Sequence, residues 1–105
     1  MKRKVETDLF LQRTLDDVEA MRCSIPRLAA DDLAAWQELR FCGQRASGGA
    51  MRQELGVLRA CAKELVALAE EKFGGARLND HLLLSVTTAI EMVALEATRM
   101  TRELG

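Results

Sequence analysis

Aromatic residues are scarce in this chain, whose 105 residues include one Trp, three Phe and no Tyr. Strands favour aromatic and β-branched side chains, so the composition argues against a β-sandwich or a β-barrel. Leu, Ala, Glu and Arg dominate instead, and all four are strong helix formers. The composition therefore predicts an all-α fold, and the length allows a single domain covering residues 1–105.

An excess of charge of either sign is also lacking. Lys and Arg total 15 and Asp and Glu total 16, which gives a net charge of −1. The one basic run, Lys2-Arg3-Lys4, is followed closely by Glu6 and Asp8. Because a strongly basic surface is missing, no long-range field draws the protein onto nucleic acid, and we expect no direct nucleic-acid binding.

Long apolar runs are absent as well. No uninterrupted run approaches the roughly 20 residues that a membrane-spanning helix needs. The basic start of the chain leads into acidic residues rather than into an apolar segment, so it does not have the pattern of a signal peptide. We therefore expect a cytoplasmic protein that does not bind membranes.

Residue types that perform catalysis or bind metals are few. His81 is the one histidine, and Cys23, Cys42 and Cys61 show no C-x-x-C spacing and fall on three different predicted helices. A structural zinc site needs four convergent ligands, and a Ser-His-Asp triad would depend on His81 alone. We therefore expect no enzymatic activity, no metal site and no cofactor, and cysteines that stay reduced and pack as small apolar residues.

The apolar periodicity of the first half of the chain predicts two helices. The first runs from residue 6 or 7 to Ser24, and Pro26 ends it because proline disfavours helical geometry in the residue before it. The second is capped by Asp31 and ends before Gly43, which suits the left-handed position after a helix. The adjacent glycines in residues 44–50 predict a loop.

The second half predicts two long amphipathic helices, because apolar residues recur at alternating spacings of three and four. The third helix ends at Phe73, and Asn79 or Asp80 caps the fourth. The predicted architecture is therefore a small bundle of about four helices, with two shorter helices in residues 1–45 and a long antiparallel hairpin in residues 48–104.

The fourth predicted helix carries more apolar surface than one neighbour can cover. Near residues 82–95 more than half of its circumference is apolar, whereas a partner helix covers a stripe of about 100°. We therefore expect a second chain to cover the remainder, and two-fold homodimers are the commonest assembly. The residues predicted to form the dimer interface are Leu82, Ala89, Val93 and Met100.

Another protein is expected to dock on exposed apolar side chains of the first two helices. Trp36 and Phe41 project from opposite sides of the second helix, so one is expected in the core and the other at a contact surface. Phe10 and Met21 widen the apolar line of the first helix. The predicted partner-binding set is Leu9, Phe10, Trp36 and Phe41.

Three segments of the second half resemble a group of short bacterial helical proteins that act as anti-activators in quorum sensing. The segments are Leu58–Ala62 (LRACA), Leu82–Val86 (LLLSV) and Ile90–Val93 (IEMV), within a resemblance that covers residues 55–97. The resemblance implies a homodimer that binds the ligand-binding domain of a LuxR-type transcription factor. It further implies that binding blocks dimerisation of that factor, and with it DNA binding.

Protein binding is thus the predicted function, in the form of an anti-activator that covers a surface needed by a transcription factor. A chaperone or adaptor for a secreted protein is the alternative within the same class. A small DNA-binding regulator is the alternative from another class, since the first two helices have the length of a helix-turn-helix. In that arrangement, however, Asp31 and Asp32 would bring negative charge towards the phosphates.

Overall fold

The structure is a computed structural model that describes the backbone of residues 2–104 and the side chains of residues 4–104. These residues form four helices, with no strand between residues 2 and 104. The prediction of an all-α fold with four helices is confirmed. Residues 1 and 105, the ends of the predicted domain, lie outside the described residues. The helices are α1 (Lys2–Ala29), α2 (Leu33–Arg52), α3 (Gly56–Phe73) and α4 (Asp80–Leu104).

The helices run alternately up and down, and each packs against two neighbours in the cyclic order α1, α2, α3, α4. Contacts between α1 and α2 establish their antiparallel direction, since Thr7 near the start of α1 donates a hydrogen bond to Gln53 after the end of α2. At the other end of the pair, the Trp36 indole N–H donates to the carbonyl of Leu28. The bundle is elongated, at 46 × 21 × 20 Å. Short connections between long antiparallel helices produce this shape.

Helix α1 continues through Pro26, so the predicted end at Ser24 is wrong. Proline removes one backbone hydrogen bond from the helix, which disfavours but does not forbid its continuation. The last turn after Pro26 buries Leu28 completely. A proline inside a helix costs about 3 kcal/mol, and burial of a leucine side chain contributes roughly 1.5–3 kcal/mol, which offsets most of that cost.

All three connections between helices use the same pair of backbone hydrogen bonds. After α1, the amide of Asp31 donates to Leu28 and the amide of Asp32 donates to Arg27. This is the Schellman pattern, which satisfies carbonyl groups at the end of a helix and requires a left-handed residue. Asp31 is that residue, with φ of 60°, and the cap of α2 is therefore Asp32 rather than the predicted Asp31. The equivalent left-handed residues after α2 and α3 are Glu54 and Gly75.

Helix α2 extends through the whole segment that was predicted to be a loop, residues 44–50, and ends at Arg52. Two of its glycines, Gly43 and Gly49, are needed for close packing rather than for a turn. A Cβ atom on Gly43 would lie 2.9 Å from a methyl group of Val66 and 3.3 Å from the Val66 backbone nitrogen. Ala46, Gly49 and Ala50 are buried as well. Small side chains thus allow α2 to pack closely against its neighbours.

The predicted division of the chain is also wrong. Helix α1 has 28 residues and is the longest of the four, so the N-terminal helices are not the shorter pair. The continuous helix predicted from about residue 48 to Phe73 is interrupted at residues 53–55, and α3 begins at Gly56. Of the two candidate caps for α4, Asn79 accepts a hydrogen bond from the Leu82 amide at 2.8 Å.

The core contains one large aromatic side chain, Trp36, surrounded by aliphatic side chains from all four helices. Helix α4 contributes a continuous buried stripe to it. Helix α4 is also long and apolar enough to cross a membrane. Its most apolar window of 18 residues has a mean hydropathy of 1.2, and 39% of that window is buried in the bundle. The core helix of a soluble protein has the same length and composition. The buried residues of α4 are Leu82, Val86, Ala89, Ile90, Val93, Ala94 and Ala97.

Candidate protein-binding surface

An exposed apolar surface runs along the outer side of α3 and α4. It consists of Val57 on α3 and Leu84, Met92 and Leu95 on α4, and we call these four residues the α3–α4 band. Each has between 48% and 65% of its side chain exposed. Scattered exposed apolar residues are ordinary on a protein surface, but several side by side on two packed helices indicate an interaction surface.

Two adjoining grooves connect the members of the band. One has a volume of about 550 Å³ and includes Leu84, Thr88 and Met92 in its lining. The other has a volume of about 460 Å³ and includes Val57, Met92 and Leu95. Cys61 and Met92 line both grooves, so the two form one depression along the α3–α4 boundary.

The band exists because α4 has two apolar faces. Its buried stripe faces the bundle, while Leu84, Thr88 and Leu95 lie on the opposite side. Leu84 and Leu95 are 11 residues apart, which is close to three helical turns and about 16 Å along the axis. They therefore share one face of the helix. No helix of the same chain covers that face between residues 84 and 95, where Leu84 and Leu95 are both 65% exposed.

Ion pairs fix the charged residues at the C-terminal end of the band. The Arg22 guanidinium on α1 donates to both carboxylate oxygens of Glu91, at 2.7 and 2.8 Å. Within α4, Arg99 donates two hydrogen bonds to the Glu96 carboxylate. Hydrogen bonding from these arginines lowers the pKa of Glu91 and of Glu96 below their ordinary value. Arg102 lines the same groove and has no ion pair with any residue from 4 to 104.

Carboxylates lie at the other end of the band. Glu64 lines the larger groove beside Leu84 and Ser85. Glu64 and Glu71 both line the next depression along the helices, where Arg77 and His81 also lie. Neither Glu64 nor Glu71 has an ion pair with another described residue. The surface therefore carries two unpaired carboxylates and the Arg77 guanidinium at one end, and the unpaired Arg102 guanidinium at the other.

The predicted dimer interface does not coincide with the band. Leu82, Ala89 and Val93 are buried in the core, and Met100 is half-buried against it. The prediction is therefore wrong for Leu82, Ala89 and Val93, because they face the interior of the bundle, where α4 packs on α1 and α3. The 11-residue spacing of Leu84 and Leu95 shows in the sequence that the two share a face of the helix, but not that this face is exposed.

The predicted partner-binding residues do not form one surface either. Trp36 is completely buried and donates a hydrogen bond to the Leu28 carbonyl at 3.2 Å, so its assignment as a contact residue is wrong. Phe10 is half-buried with its ring against Gly49. Leu9 and Phe41 are exposed. Phe41 lies beside the second half of α1, far from Leu9. On either side of it on α2, Trp36 donates a hydrogen bond to Leu28 and Arg45 donates one to Asp17.

The three cysteines lie in different environments. Cys23 is exposed, Cys42 is buried and Cys61 lies half-buried in the groove. Burial raises the pKa of the Cys42 and Cys61 thiols above the ordinary value, so both favour the neutral form. No three His, Cys, Asp or Glu side chains of the described residues gather as ligands for a metal ion.

Comparison with known proteins identifies no relative of this chain. No protein-family model matches the chain, and neither a curated protein nor a solved structure matches it.

Proposed function

We propose that this protein is a non-catalytic, cytoplasmic regulator that forms a homodimer and binds a second protein. In this proposal the second protein is a transcriptional activator of the LuxR type, and binding covers a surface that the activator needs for its own dimerisation. Loss of the activator dimer then lowers its affinity for DNA, because two-fold operators are bound by dimers.

The observation that supports a protein-binding role is the α3–α4 band. Its four apolar residues and the adjoining grooves are exposed to water. Apolar surface in water is less favourable than buried apolar surface by roughly 25 cal/mol per Å². Burying that surface against another polypeptide recovers this free energy. The band therefore supports association, and the resemblance described above is the source of the proposed target class.

The proposed contacts with the activator are two separate exposed side chains, Leu9 on α1 and Phe41 on α2. Both are exposed, and both lie on helices other than those that carry the band. Exposed apolar side chains such as these gain free energy when a partner buries them. A homodimer that uses the band for self-association would present Leu9 and Phe41 twice.

The test of this proposal begins with affinity capture from the native host, followed by identification of the recovered proteins. We expect a transcriptional activator among them. The purified activator is then titrated with this protein in an operator-binding assay, and the fraction of operator bound should fall as activator dimers disappear. Leu9→Glu should weaken inhibition by about tenfold or more, which corresponds to about 1.4 kcal/mol of binding free energy.

Leu33→Glu is the matched control, because Leu33 is similarly exposed, at 58%, and begins α2. This variant should inhibit as the wild-type protein does. Unchanged operator occupancy in the presence of excess protein would count against the anti-activator role. Recovery of a secreted substrate, with no activator, would favour a chaperone or adaptor instead. Direct binding to duplex DNA that weakens steeply with salt would favour a DNA-binding regulator.

A further inference from the structure

We infer that the α3–α4 band is covered by the same band of a second copy, with the two α4 helices packed antiparallel across a two-fold axis. This inference rests on the self-association contained in the proposed function and specifies its surface and direction. It also replaces the predicted interface residues, which lie in the core, with Leu84 and Leu95.

The apolar pattern of α4 is compatible with a two-fold arrangement. A two-fold interface brings the same patch of both copies together, so a residue on one side of the axis meets a residue on the other side. If the axis passes between Thr88 and Glu91, Leu84 of each copy packs against Leu95 of the other. Both leucines are 65% exposed and share one face of the helix, so each is available for this contact.

The charges select the antiparallel direction. At the C-terminal end of the band the carboxylates of Glu91 and Glu96 are already paired with Arg22 and Arg99, which leaves Arg102 unpaired. Arg102 lies seven residues beyond Leu95, or about 10 Å. In the antiparallel arrangement it therefore extends past Leu84 of the second copy.

The residues that Arg102 meets there include two carboxylates. Glu64 and Glu71 line this end of the surface, together with one guanidinium, that of Arg77. In the register set by Leu84 and Leu95, Arg102 comes level with residue 77, where the carboxylates of Glu64 and Glu71 outnumber the one guanidinium of Arg77. Parallel packing would instead bring Arg102 against the same residue of the second copy, and like charges in contact oppose association.

The available area matches a dimer of ordinary size. Helix α4 has 25 residues and is about 37 Å long, and the bundle is about 20 Å wide. A face of this size has an area of roughly 700 Å², and a stable interface buries about 800 Å² on each partner. The solvent-accessible surface of the chain is 6249 Å², which exceeds the roughly 5,800 Å² expected for a folded monomer of 11.6 kDa.

The first experiment measures mass in solution by sedimentation equilibrium at micromolar to 100-micromolar protein concentration. The wild-type protein should have twice the chain mass of 11.6 kDa. Leu84→Glu and Leu95→Glu each place two buried carboxylates in the interface and should shift the protein to monomer, with a dimer dissociation constant raised at least 100-fold. Leu33→Glu should remain dimeric. Circular dichroism should show unchanged helix content for all three variants.

The second experiment tests the direction of packing by exchanging charges. Arg102→Glu should raise the dimer dissociation constant by about fivefold to tenfold, because it faces Glu64 and Glu71. Adding Glu71→Arg in the same chain restores opposite charges at both ends and should recover most of the lost affinity. Equal weakening by the single and the double variant would overturn the antiparallel arrangement.

A wild-type protein that stays monomeric at 100 µM, or a dimer that Leu84→Glu and Leu95→Glu leave intact, would overturn the inference as a whole. Either result leaves the capture and operator assays able to support the proposed target. Conversely, a dimer that behaves as described but inhibits no activator would remove the proposed target and keep the interface.

Discussion

The ring of Phe10 on α1 occupies the space that a side chain at Gly49 on α2 would need. A Cβ atom built on Gly49 would lie 2.6 Å from Cδ1 and 2.9 Å from Cζ of Phe10. Gly49 is buried, whereas a Cβ atom on the adjacent Gly48 would have a single neighbour, Nη1 of Arg52, at 3.6 Å. Two consecutive glycines of one helix thus have different physical roles, one in packing and one without a packing constraint.

Alanine substitutions of these two glycines should therefore change stability in opposite directions. Gly49→Ala forces Phe10 away from α2, and overpacking of this kind costs about 1–3 kcal/mol. Gly48→Ala adds a methyl group without a clash and gains about 0.5–1 kcal/mol, because alanine loses less backbone entropy than glycine in a helix. Urea unfolding of the two variants measures both effects. Equal changes in the free energy of unfolding would show that Phe10 does not pack on α2.

Substitution of Trp36 should change the stability of the fold, because its side chain lies in the core and not at a binding surface. Trp36→Phe removes the hydrogen bond to the Leu28 carbonyl and leaves a small cavity, so we expect a loss of about 1–3 kcal/mol in the free energy of unfolding. Since it is the one tryptophan of the chain, its fluorescence should be blue-shifted and protected from acrylamide in the folded protein. Phe41→Leu on the exposed side of α2 is the control and should change stability by less than about 0.5 kcal/mol. Strong acrylamide quenching of the folded protein would contradict the burial.

The sequence predicted the number and type of helices because each helix repeats its apolar residues at a period near 3.6. It also predicted the end of α3 at Phe73, but not the ends of α1 and α2. Pro26 and the Gly48-Gly49 pair are ordinary signals of a helix end, yet tertiary burial of Leu28 and Ala50 keeps both segments helical. The break at residues 53–55 was missed for the opposite reason, since the apolar spacing continues across it and no proline or side-chain cap marks it.

The candidate site was harder to predict for a related reason. Periodicity shows which residues share a face of a helix but not which face turns inward. On α4 both faces are apolar, and the face assigned to self-association, that of Leu82 and Val93, is the one that α1 and α3 bury. Only the positions of the neighbouring helices identify Leu84 and Leu95 as the exposed pair.

The pairing of Arg22 with Glu91 should make stability depend on pH in the acidic range. The pKa of Glu91 is lowered from its ordinary value of 4.5, chiefly by the hydrogen bond from Arg22. Folding therefore favours the carboxylate, and the contribution is fully present above the unfolded pKa and is lost as the pH falls through the lower pKa of the folded state. Glu91→Gln should lower the melting temperature at pH 7, and the difference from wild type should shrink below pH 4.5. Because both side chains are partly exposed, the effect should be small and reduced by salt. A difference that stayed constant down to pH 2.5 would mean that the carboxylate is not the stabilising group.

Alkylation of the three cysteines should proceed in the order Cys23, Cys61, Cys42. The thiolate is the nucleophile, so burial slows the reaction both by limiting access and by raising the pKa of the thiol. Cys23 is exposed, Cys61 is half-buried in the groove, and burial raises the pKa of both Cys61 and Cys42. Peptide mapping after timed treatment with iodoacetamide at pH 8 measures the three rates, and the rates should converge in urea.

If a second copy covers the groove, the Cys61 rate should also fall as protein concentration rises, whereas the rate of Cys23 on α1 should not change. A Cys61 rate that is independent of concentration across the monomer–dimer transition would place the second copy on a different surface.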